Sequence, residues 1–470
     1  MSAIPSKQQL HARLAAYDQQ HVLRFWDQLT ADGQRALAEQ IQRLDLAELQ
    51  AAFRGSSASE NWAELAARAS SPPAIRLNAK DNRFSPTAAR QRGAEALAAG
   101  RVAALLVAGG QGTRLGFEHP KGMYPIGPVS RAPLLQILIE KVLAASRRYR
   151  VSIPLYLMTS PATHEETIEF LQSQGCFGLP PEDLRVFCQG TMPAVEGQSG
   201  RLLLESPDSL ALSPDGHGGM LAGLVRCGGR ADLAARGIEQ LFYFQVDNPL
   251  APVCDAEFIG YHLLAASELS TLVVSKQFPT ERVGNVASVD GRLRIIEYSD
   301  LPLAAAERRR GDGSLELWAG NTAIHVFDVA LLDRLSGQAD ALPFHLARKA
   351  VPYLDEQGRR IESAAPNAVK FERFIFDLLP SAERAIVVEA DPAKAFGPLK
   401  NAPGSERDSP ETVRQQMVAL HRSWASAAGV RVAEGIDVEI SPLFALDAEE
   451  ARAKLPGAPP IAEPTYFSGM

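Results

Sequence analysis

The sequence predicts an α/β protein built on a doubly wound, mostly parallel sheet, with a helical segment before the sheet and a small α+β segment after it. From about residue 100, short apolar runs alternate with helical stretches, which is typical of a parallel sheet covered on both faces. Helix-forming residues dominate before that point. Because 470 residues are too many for one simple core, we predict three domains, at 1–99, 100–384 and 385–470.

The first predicted domain is helical. Residues 6–70 carry apolar side chains at helical spacing among Ala, Gln, Glu and Leu, which favour helices. A Ser-Ser-Pro-Pro run at 70–73 interrupts the pattern. Residues 86–99 predict a further helix just before the first strand. We expect this segment to pack against the domain that follows it.

The second predicted domain carries the strand signals. Apolar runs that predict strands lie at 102–107, 153–160, 184–190, 241–248 and 271–276. A helix is predicted over 133–148, where apolar residues recur at helical spacing. The pair Asp290-Gly291 separates two strand-like runs within 284–298, which is typical of a hairpin. Later in the chain the sequence predicts one strand and one helix, at 385–390 and 410–427.

The composition argues against several classes of protein. A formal net charge of −7 disfavours a nucleic-acid-binding protein. There is no run of 18 apolar residues, and the polar amino terminus has no signal-peptide segment. Four cysteines without a C-x-x-C pair favour thiols in a reducing compartment over a disulfide or metal framework. We expect a cytoplasmic protein, monomeric by default, with neither nucleic acid nor membrane as a partner.

The most informative stretch follows the first predicted strand. It is a loop that contains Gly109, Gly110 and Gly112, with Arg114 and Lys121 close behind. Glycines let backbone N–H groups approach phosphate oxygens, and the two cations can neutralise phosphate charge. The loop therefore predicts a nucleoside triphosphate at the carboxyl edge of the parallel sheet.

The spacing of this loop excludes two common phosphate-binding motifs. A dinucleotide fingerprint has two residues in its last gap, whereas three residues separate Gly112 from Gly116. A Walker A loop ends in Gly-Lys-Ser/Thr, and that tripeptide is absent from the loop. An ordinary glycine-rich turn remains the alternative interpretation.

A second candidate is Asp247, which directly follows the apolar residues 241–246 of the predicted strand 241–248. A carboxylate at the carboxyl end of a strand is well placed to bind Mg²⁺. The alternative is a turn-forming role, because Asn248 and Pro249 follow it and these residue types favour turns.

Together with further motifs, these residues resemble the nucleotide-sugar pyrophosphorylases, in particular the eukaryotic-type UDP-N-acetylglucosamine pyrophosphorylases. The further motifs that carry the resemblance are 189–190, 192–194, 214–219, 246–248, 296–299, 319–321, 374–377 and 398–402. The amino-terminal stretch 21–29 also resembles the helical segment that opens these enzymes, and the match runs in order from about residue 10 to about residue 425. The resemblance implies a Rossmann-like, GT-A-like fold and a uridylyltransferase that joins UTP to a sugar 1-phosphate and releases pyrophosphate, with Mg²⁺ as cofactor.

The resemblance also implies a role for each matching residue. The cations expected to act on the triphosphate and the leaving pyrophosphate are Arg114, Lys121 and Lys400. The glycines expected to lie against the base and phosphates are Gly109, Gly110 and Gly112. The uridine contacts are expected from Gln189, Gly216 and His217, and the metal contact from Asp247. The sugar contacts are expected from Gly284, Glu297, Asn321, Phe374 and Phe376.

One position departs from the N-acetylglucosamine enzymes, which usually carry Asn in a G-N-G-G pattern where this chain has His217. A G-H-G pattern is more typical of UDP-glucose and broad-specificity UDP-sugar pyrophosphorylases, so that substrate class is the main alternative. A catalytically silent UDP-sugar-binding regulatory protein is a third. For Phe374 and Phe376, the alternative to a sugar pocket is the core face of a strand.

Overall fold

The computed structural model describes residues 5–55, 62–338 and 341–469. Its α-helices are α1 (Lys7–Ala15), α2 (Ala31–Arg43), α3 (Leu46–Gly55), α4 (Trp62–Arg68), α5 (Pro86–Ala98), α6 (Leu134–Tyr149), α7 (His164–Ser173), α8 (Met220–Arg226), α9 (Gly229–Ala235), α10 (Ala256–Leu264), α11 (Leu303–Ala306), α12 (Val329–Leu335), α13 (Pro392–Ala395), α14 (Pro410–Ala427) and α15 (Ala448–Lys454). Short 3₁₀ helices lie at Gln20–Leu23, Trp26–Gln28, Thr113–Leu115, Lys121–Met123, Gly175–Gly178, Pro181–Asp183, His217–Gly219 and Ile375–Ser381.

The strands are short apart from those of one large sheet. In chain order they are β1 (Ala74–Ile75), β2 (Val102–Val107), β3 (Leu155–Thr159), β4 (Leu184–Cys188), β5 (Thr191–Pro193), β6 (Val195–Glu196), β7 (Leu204–Ser206), β8 (Ser209–Leu210), β9 (Leu212–Pro214), β10 (Gln240–Gln245), β11 (Leu269–Ser275), β12 (Asn285–Val289), β13 (Arg292–Ile296), β14 (Ala319–Asp328), β15 (His345–Lys349), β16 (Tyr353–Leu354), β17 (Arg360–Ile361), β18 (Ala368–Glu372), β19 (Ala385–Glu389), β20 (Val438–Ile440) and β21 (Thr465–Phe467).

Contacts within the chain divide it into two compact units. Unit 1 comprises Met1–Trp62, Gln189–Met220 and Leu342–Asp377. Unit 2 comprises Ala63–Cys188, Leu221–Ala341 and Leu378–Met470. Each unit is thus assembled from three separate stretches of sequence. The three-domain division at residues 99 and 384 stays a prediction.

Unit 2 is built on the large sheet, whose strand order is β1-β19-β11-β14-β10-β2-β3-β4. All neighbouring pairs along this order are parallel except those of β14, which is antiparallel to β10 and to β11. The predicted α/β fold with a mostly parallel sheet is confirmed. The continuous apolar sequence of β2 fits its position, because both faces of a central strand are buried.

The predicted elements of unit 2 are largely confirmed. Each of the five apolar runs overlaps a strand of the sheet. The helices predicted over 86–99, 133–148 and 410–427 correspond to α5, α6 and α14. The hairpin prediction is also confirmed: β12 and β13 pair in antiparallel register around Asp290 and Gly291. Both loop residues have positive φ, at 51° and 78°, as the two-residue hairpin turn requires.

The register of the parallel strands determines which loops lie together. Gln245 at the end of β10 pairs with Val107 at the end of β2, and Val107 pairs with Met158 of β3. Because parallel strands point the same way, the glycine loop and Asp247 leave the sheet at one edge. This register is the feature of the fold that positions the candidate site.

Unit 1 joins the amino-terminal helices to later strands. The helices α1, α2 and α3 bury Leu14, Leu37 and Leu49 in one apolar core with Leu210 and Phe371. The strands β6, β18 and β15 form one small sheet, and β5 pairs with β9. The part of the predicted helical segment that holds α1, α2 and α3 therefore packs on residues from the middle of the chain, whereas α5 belongs to unit 2.

None of the helices among the described residues has the length and apolar character that a membrane crossing needs.

Candidate active site

The glycine loop in unit 2 is closed by hydrogen bonds of its own backbone. The Gly112 N–H donates to the His119 carbonyl at 2.9 Å, and the Lys121 N–H donates to the Gly110 carbonyl at 2.9 Å. The Gly109 carbonyl accepts the Ser160 hydroxyl at 2.7 Å. The loop is therefore held in one conformation with Lys121 at its end.

Glycine is required at some positions of this loop by the loop's own backbone, and at another position it is not. A Cβ on Gly112 would lie 2.7 Å from the Phe117 carbonyl oxygen, and Gly116 has a φ of 67°. Both are therefore required by the loop itself. A Cβ on Gly110 would meet nothing within 4 Å, and this residue is exposed. Packing within the protein does not explain why residue 110 is glycine, whereas close approach of a ligand to its backbone would.

Lys121 connects three segments of unit 2. Its Nζ donates to the Leu399 carbonyl at 3.3 Å. The Leu399 N–H in turn donates to the Asp247 carbonyl at 2.7 Å. The glycine loop, the end of β10 and the segment that precedes Lys400 are thus joined through the two backbone groups of one residue.

The charges around Lys121 form one electrostatic cluster. Burial lowers the pKa of Lys121, the Asp247 carboxylate opposes this shift, and Arg114 and Lys400 add to it. The predicted cations Arg114, Lys121 and Lys400 are thus close enough to influence one another. The structure brings them together from two segments of the sequence, the glycine loop and the segment at Lys400, with Arg114 exposed and the other two half-buried.

Two carboxylates belong to the same cluster. Burial raises the pKa of Asp408, and the charge of Asp247 adds to that shift while Lys400 opposes it. Asp408 also accepts the Lys400 N–H through its carbonyl at 2.8 Å. Arg407 also acts on Asp408, so four cations stand against two carboxylates, and this excess of positive charge suits a polyphosphate.

The donor set fits a magnesium ion. Among the residues that the structure describes, no group of three or more His, Cys, Asp or Glu side chains could enclose a metal. Mg²⁺ is commonly bound by one or two carboxylates together with phosphate oxygens and water. Asp247, with Asp408 within electrostatic range, supplies such a partial set.

Three of the five residues predicted to contact the sugar, Gly284, Glu297 and Asn321, converge in unit 2, whereas Phe374 and Phe376 belong to unit 1. The Asn321 N–H donates to the Gly284 carbonyl at 2.8 Å. A Cβ on Gly284 would lie 3.0 Å from Glu297 Oε1 and 3.6 Å from the Asn321 Cβ. The space in front of Gly284 is thus bordered by a carboxylate and an amide, which are suitable partners for hydroxyl groups.

The residues predicted to contact uridine lie in unit 1. Gln189 is buried, and its Nε2 donates to Asp215 Oδ1 at 3.4 Å and to the Gly216 carbonyl at 3.3 Å. Gly216 has a φ of 82°, and a Cβ there would lie 2.4 Å from the Arg373 carbonyl oxygen. Glycine is therefore required at 216 by the backbone, whatever the role of this loop in binding.

His217 belongs to an aromatic cluster of unit 1. Its ring stacks on Phe374 with centroids 5.2 Å apart, and Nδ1 accepts the Ile375 N–H at 3.2 Å. Burial lowers the pKa of His217 to about 4, and His345 adds to the shift. Nδ1 is therefore an acceptor, and the ring is neutral at pH 7.

The two predicted phenylalanines differ in their surroundings. Phe376 is 4% exposed and belongs to the core, but it lies in the 3₁₀ helix Ile375–Ser381 rather than in a strand. Phe374 is half-buried and keeps part of its ring accessible. Only Phe374 therefore offers a surface that a ligand could reach.

His345 and Asp377 are two further polar residues of this cluster for which the sequence predicts no role. His345 Nε2 lies 2.7 Å from Asp377 Oδ2, and its ring stacks on Phe374 with centroids 4.3 Å apart. Asp377 lies in a motif of the resemblance but had no expected role. No signal in the sequence singled out His345, because a lone histidine 32 residues away does not reveal its partner.

The comparisons with known proteins agree on one family. A model of the UTP--glucose-1-phosphate uridylyltransferase family matches residues 60–405. The chain is 36% identical over 480 residues to the human UDP-N-acetylhexosamine pyrophosphorylase-like protein 1, covering 98% of this chain and 91% of that protein. It is 39% identical over 356 residues to the UDP-N-acetylglucosamine pyrophosphorylase of Saccharomyces cerevisiae, covering 74% of this chain and 75% of that protein.

A solved structure shares the fold. The uridine diphosphate N-acetylglucosamine pyrophosphorylase from Trypanosoma brucei, solved in complex with an inhibitor, aligns with a TM-score of 0.83. The alignment covers 100% of this chain and 99% of that chain at 23% identity. At this identity the likeness describes the architecture.

We predict that His217 makes the stability of the protein depend on pH. Its pKa of about 4 in the folded chain lies below the ordinary value of 6.5, so the unfolded chain binds the proton more readily. Stability contributed by the neutral ring is present above pH 6.5 and is lost as the pH falls towards 4. The fall in melting temperature between pH 7 and pH 5 should therefore be smaller in His217→Asn than in the wild type.

The exposed His11 provides the control for this measurement. His11→Asn should keep the full wild-type fall in melting temperature. An equal fall in wild type and His217→Asn would show that His217 does not carry this pH dependence.

Proposed function

The chain belongs to the UTP--glucose-1-phosphate uridylyltransferase family, and from this premise we propose that it forms UDP-N-acetylglucosamine and pyrophosphate from UTP and N-acetylglucosamine 1-phosphate. Relatives named UDP-N-acetylglucosamine pyrophosphorylase or diphosphorylase match it at 33–39% identity. They support this choice of sugar.

The cluster of charged residues around Lys121 is the main support for this proposal. Its Nζ, the backbone of Leu399 and the carbonyl of Asp247 form one chain of hydrogen bonds beside the glycine loop. Arg114 and Lys400 contribute positive charge to the same place. A phosphate-binding loop, three cations and a strand-end carboxylate are the groups that transfer of a nucleotide needs.

The reaction needs positioning and charge stabilisation more than covalent assistance. A phosphate oxygen of the sugar phosphate attacks the α-phosphorus of UTP and forms the new P–O bond. The bond between the α-phosphorus and the oxygen bridging to the β-phosphate breaks, and its electron pair leaves with pyrophosphate. In this proposal Arg114, Lys121 and Lys400 neutralise the repulsion between the two anions and stabilise the charge on the leaving group.

Asp247 is the proposed metal ligand, and the Asp408 carboxylate lies within electrostatic range of it. Asp247 would hold Mg²⁺, and the ion would supply positive charge against the negative charge that develops during transfer. The carbonyl of Asp247 is already bonded to the Leu399 N–H, so its carboxylate is carried on a fixed backbone.

Recognition of the two ends of the product is proposed residue by residue. We propose that Gln189, Gly216 and His217 contact uridine, with the amide of Gln189 serving as donor and acceptor. We propose that Glu297 and Asn321 contact the sugar in front of Gly284. The half-buried Phe374 remains a candidate for the acyl group, whereas the buried position of Phe376 argues for a core role. The cytoplasmic location and the monomeric state remain predictions.

The proposed function is tested by measuring pyrophosphate release from UTP and Mg²⁺, with N-acetylglucosamine 1-phosphate and glucose 1-phosphate in parallel. We expect a clear preference for the acetylated sugar. Equal use of both, or preference for glucose, would move the protein to the UDP-glucose or broad-specificity class, to which His217 points. No release with either sugar would contradict the enzymatic assignment and leave a silent UDP-sugar-binding protein.

The role of Lys400 gives a second prediction. Lys400→Ala should lower kcat by about 10²–10³-fold, because it removes one of three charges that stabilise the leaving group. The fold should persist, since the backbone of Leu399 keeps its hydrogen bonds. Lys394→Ala, which removes an exposed lysine six residues earlier, is the control and should keep full turnover. Near-normal turnover of Lys400→Ala would exclude this lysine from the reaction.

A further inference from the structure

Asn248 is buried although its sequence context is that of a surface turn. It is 2% exposed and lies between Asp247 and a proline. Only one of its side-chain hydrogen bonds stays within the turn, where Oδ1 accepts the Leu250 N–H at 3.2 Å. A role in the turn alone therefore does not account for its burial.

The other hydrogen bonds of Asn248 reach a distant segment. Oδ1 accepts the Gly397 N–H at 3.0 Å, and Nδ2 donates to the Ala395 carbonyl at 2.8 Å. These partners lie 149 and 147 residues further along the chain. The amide thus joins the end of β10 to the segment that leads into Lys400.

Alternate residues of the segment 395–399 form hydrogen bonds with the turn at Asp247 and Asn248. Gly397 and Leu399 direct their N–H groups to the turn at 247–248, as alternate residues of an extended chain do, and Ala395 at the end of α13 directs its carbonyl there. Leu399 completes the row by donating to the Asp247 carbonyl at 2.7 Å. The side chain of Asn248 supplies the hydrogen bonds that a neighbouring strand would otherwise supply.

Close packing keeps the segment in this position. A Cβ on Gly397 would lie 2.7 Å from Leu250 Cδ1 and 2.6 Å from Gln416 Oε1. If the amide were removed, a buried N–H and a buried carbonyl would lose their partners. The segment would then shift or loosen directly upstream of Lys400.

We propose that Asn248 is a positioning residue of the reaction, which fixes Lys400 relative to the Asp247 carboxylate. This inference rests on the proposed function, because Lys400 acts there as the third cation. An error of about 1 Å in the placement of a catalytic group can cost about 10²-fold in rate. Asn248 thus acts through Lys400 and does not itself touch the substrate.

A double-mutant cycle tests this coupling. Asn248→Ala in the wild-type background should lower kcat by about 10–100-fold. In the Lys400→Ala background the same change should alter kcat by less than about twofold, because the group that it positions is already gone. Equal fold-losses in both backgrounds would overturn the proposal.

Asn82 offers a matched control in the same unit. Its amide likewise bridges backbone groups, since Oδ1 accepts the Arg76 N–H at 3.0 Å and Nδ2 donates to the Arg76 carbonyl at 2.7 Å. Asn82→Ala should leave kcat within about twofold of its parent in both backgrounds. Asn248→Asp keeps acceptor oxygens and loses the donor to Ala395, and it replaces Asn248→Ala in the cycle should that variant not fold.

Hydrogen exchange separates this proposal from the proposed function. The amides of Gly397 and Leu399 should exchange faster in Asn248→Ala and at the wild-type rate in Lys400→Ala. Unchanged exchange in Asn248→Ala would overturn the positioning role whatever the activity. Absence of pyrophosphate release by the wild type would instead refute the proposed function, and with it the part assigned to Lys400.

Discussion

A half-buried ammonium group destabilises a folded protein unless hydrogen bonds and opposite charge compensate for the lost water. Lys121 meets this requirement with the Leu399 carbonyl and the neighbouring Asp247. The compensation is incomplete, because Arg114 and Lys400 place two more positive charges nearby and burial lowers the pKa of Lys121. The unit therefore holds positive charge that a bound polyphosphate would relieve, and the rest of the candidate site is arranged around this imbalance.

The sheet makes this arrangement possible. The parallel register of β2 and β10 brings the glycine loop and Asp247 to one edge, although more than 100 residues separate them in sequence. The antiparallel β14 carries Asn321 towards the hairpin that holds Gly284 and Glu297 near one another. The residues proposed to bind phosphate thus depend on the parallel register of the sheet. The residues proposed to bind the sugar depend on the hairpin that is added to it.

Features with a local chemical signal could be predicted from the sequence. The apolar run of β2, the Asp290-Gly291 hairpin and the cations near the glycine loop all carry such a signal. The hydrogen bond from Lys121 to the Leu399 carbonyl could not be predicted, because every residue carries a carbonyl and the sequence does not indicate which one accepts it. For the same reason, the sequence does not predict the long-range hydrogen bonds of Asn248, whose neighbours are those of a turn residue. The glycines were predicted as a group, whereas only the structure separates Gly110 from those that the loop itself requires.

We propose that the triphosphate binds to the loop that ends at Lys121, with the metal on Asp247. The most direct measurement is a crystal structure of the protein with UTP and Mn²⁺, in which anomalous scattering locates the ion. We expect the ion on the Asp247 carboxylate and the phosphates against Gly110, Arg114 and Lys121. An ion or a triphosphate bound away from these residues would contradict it.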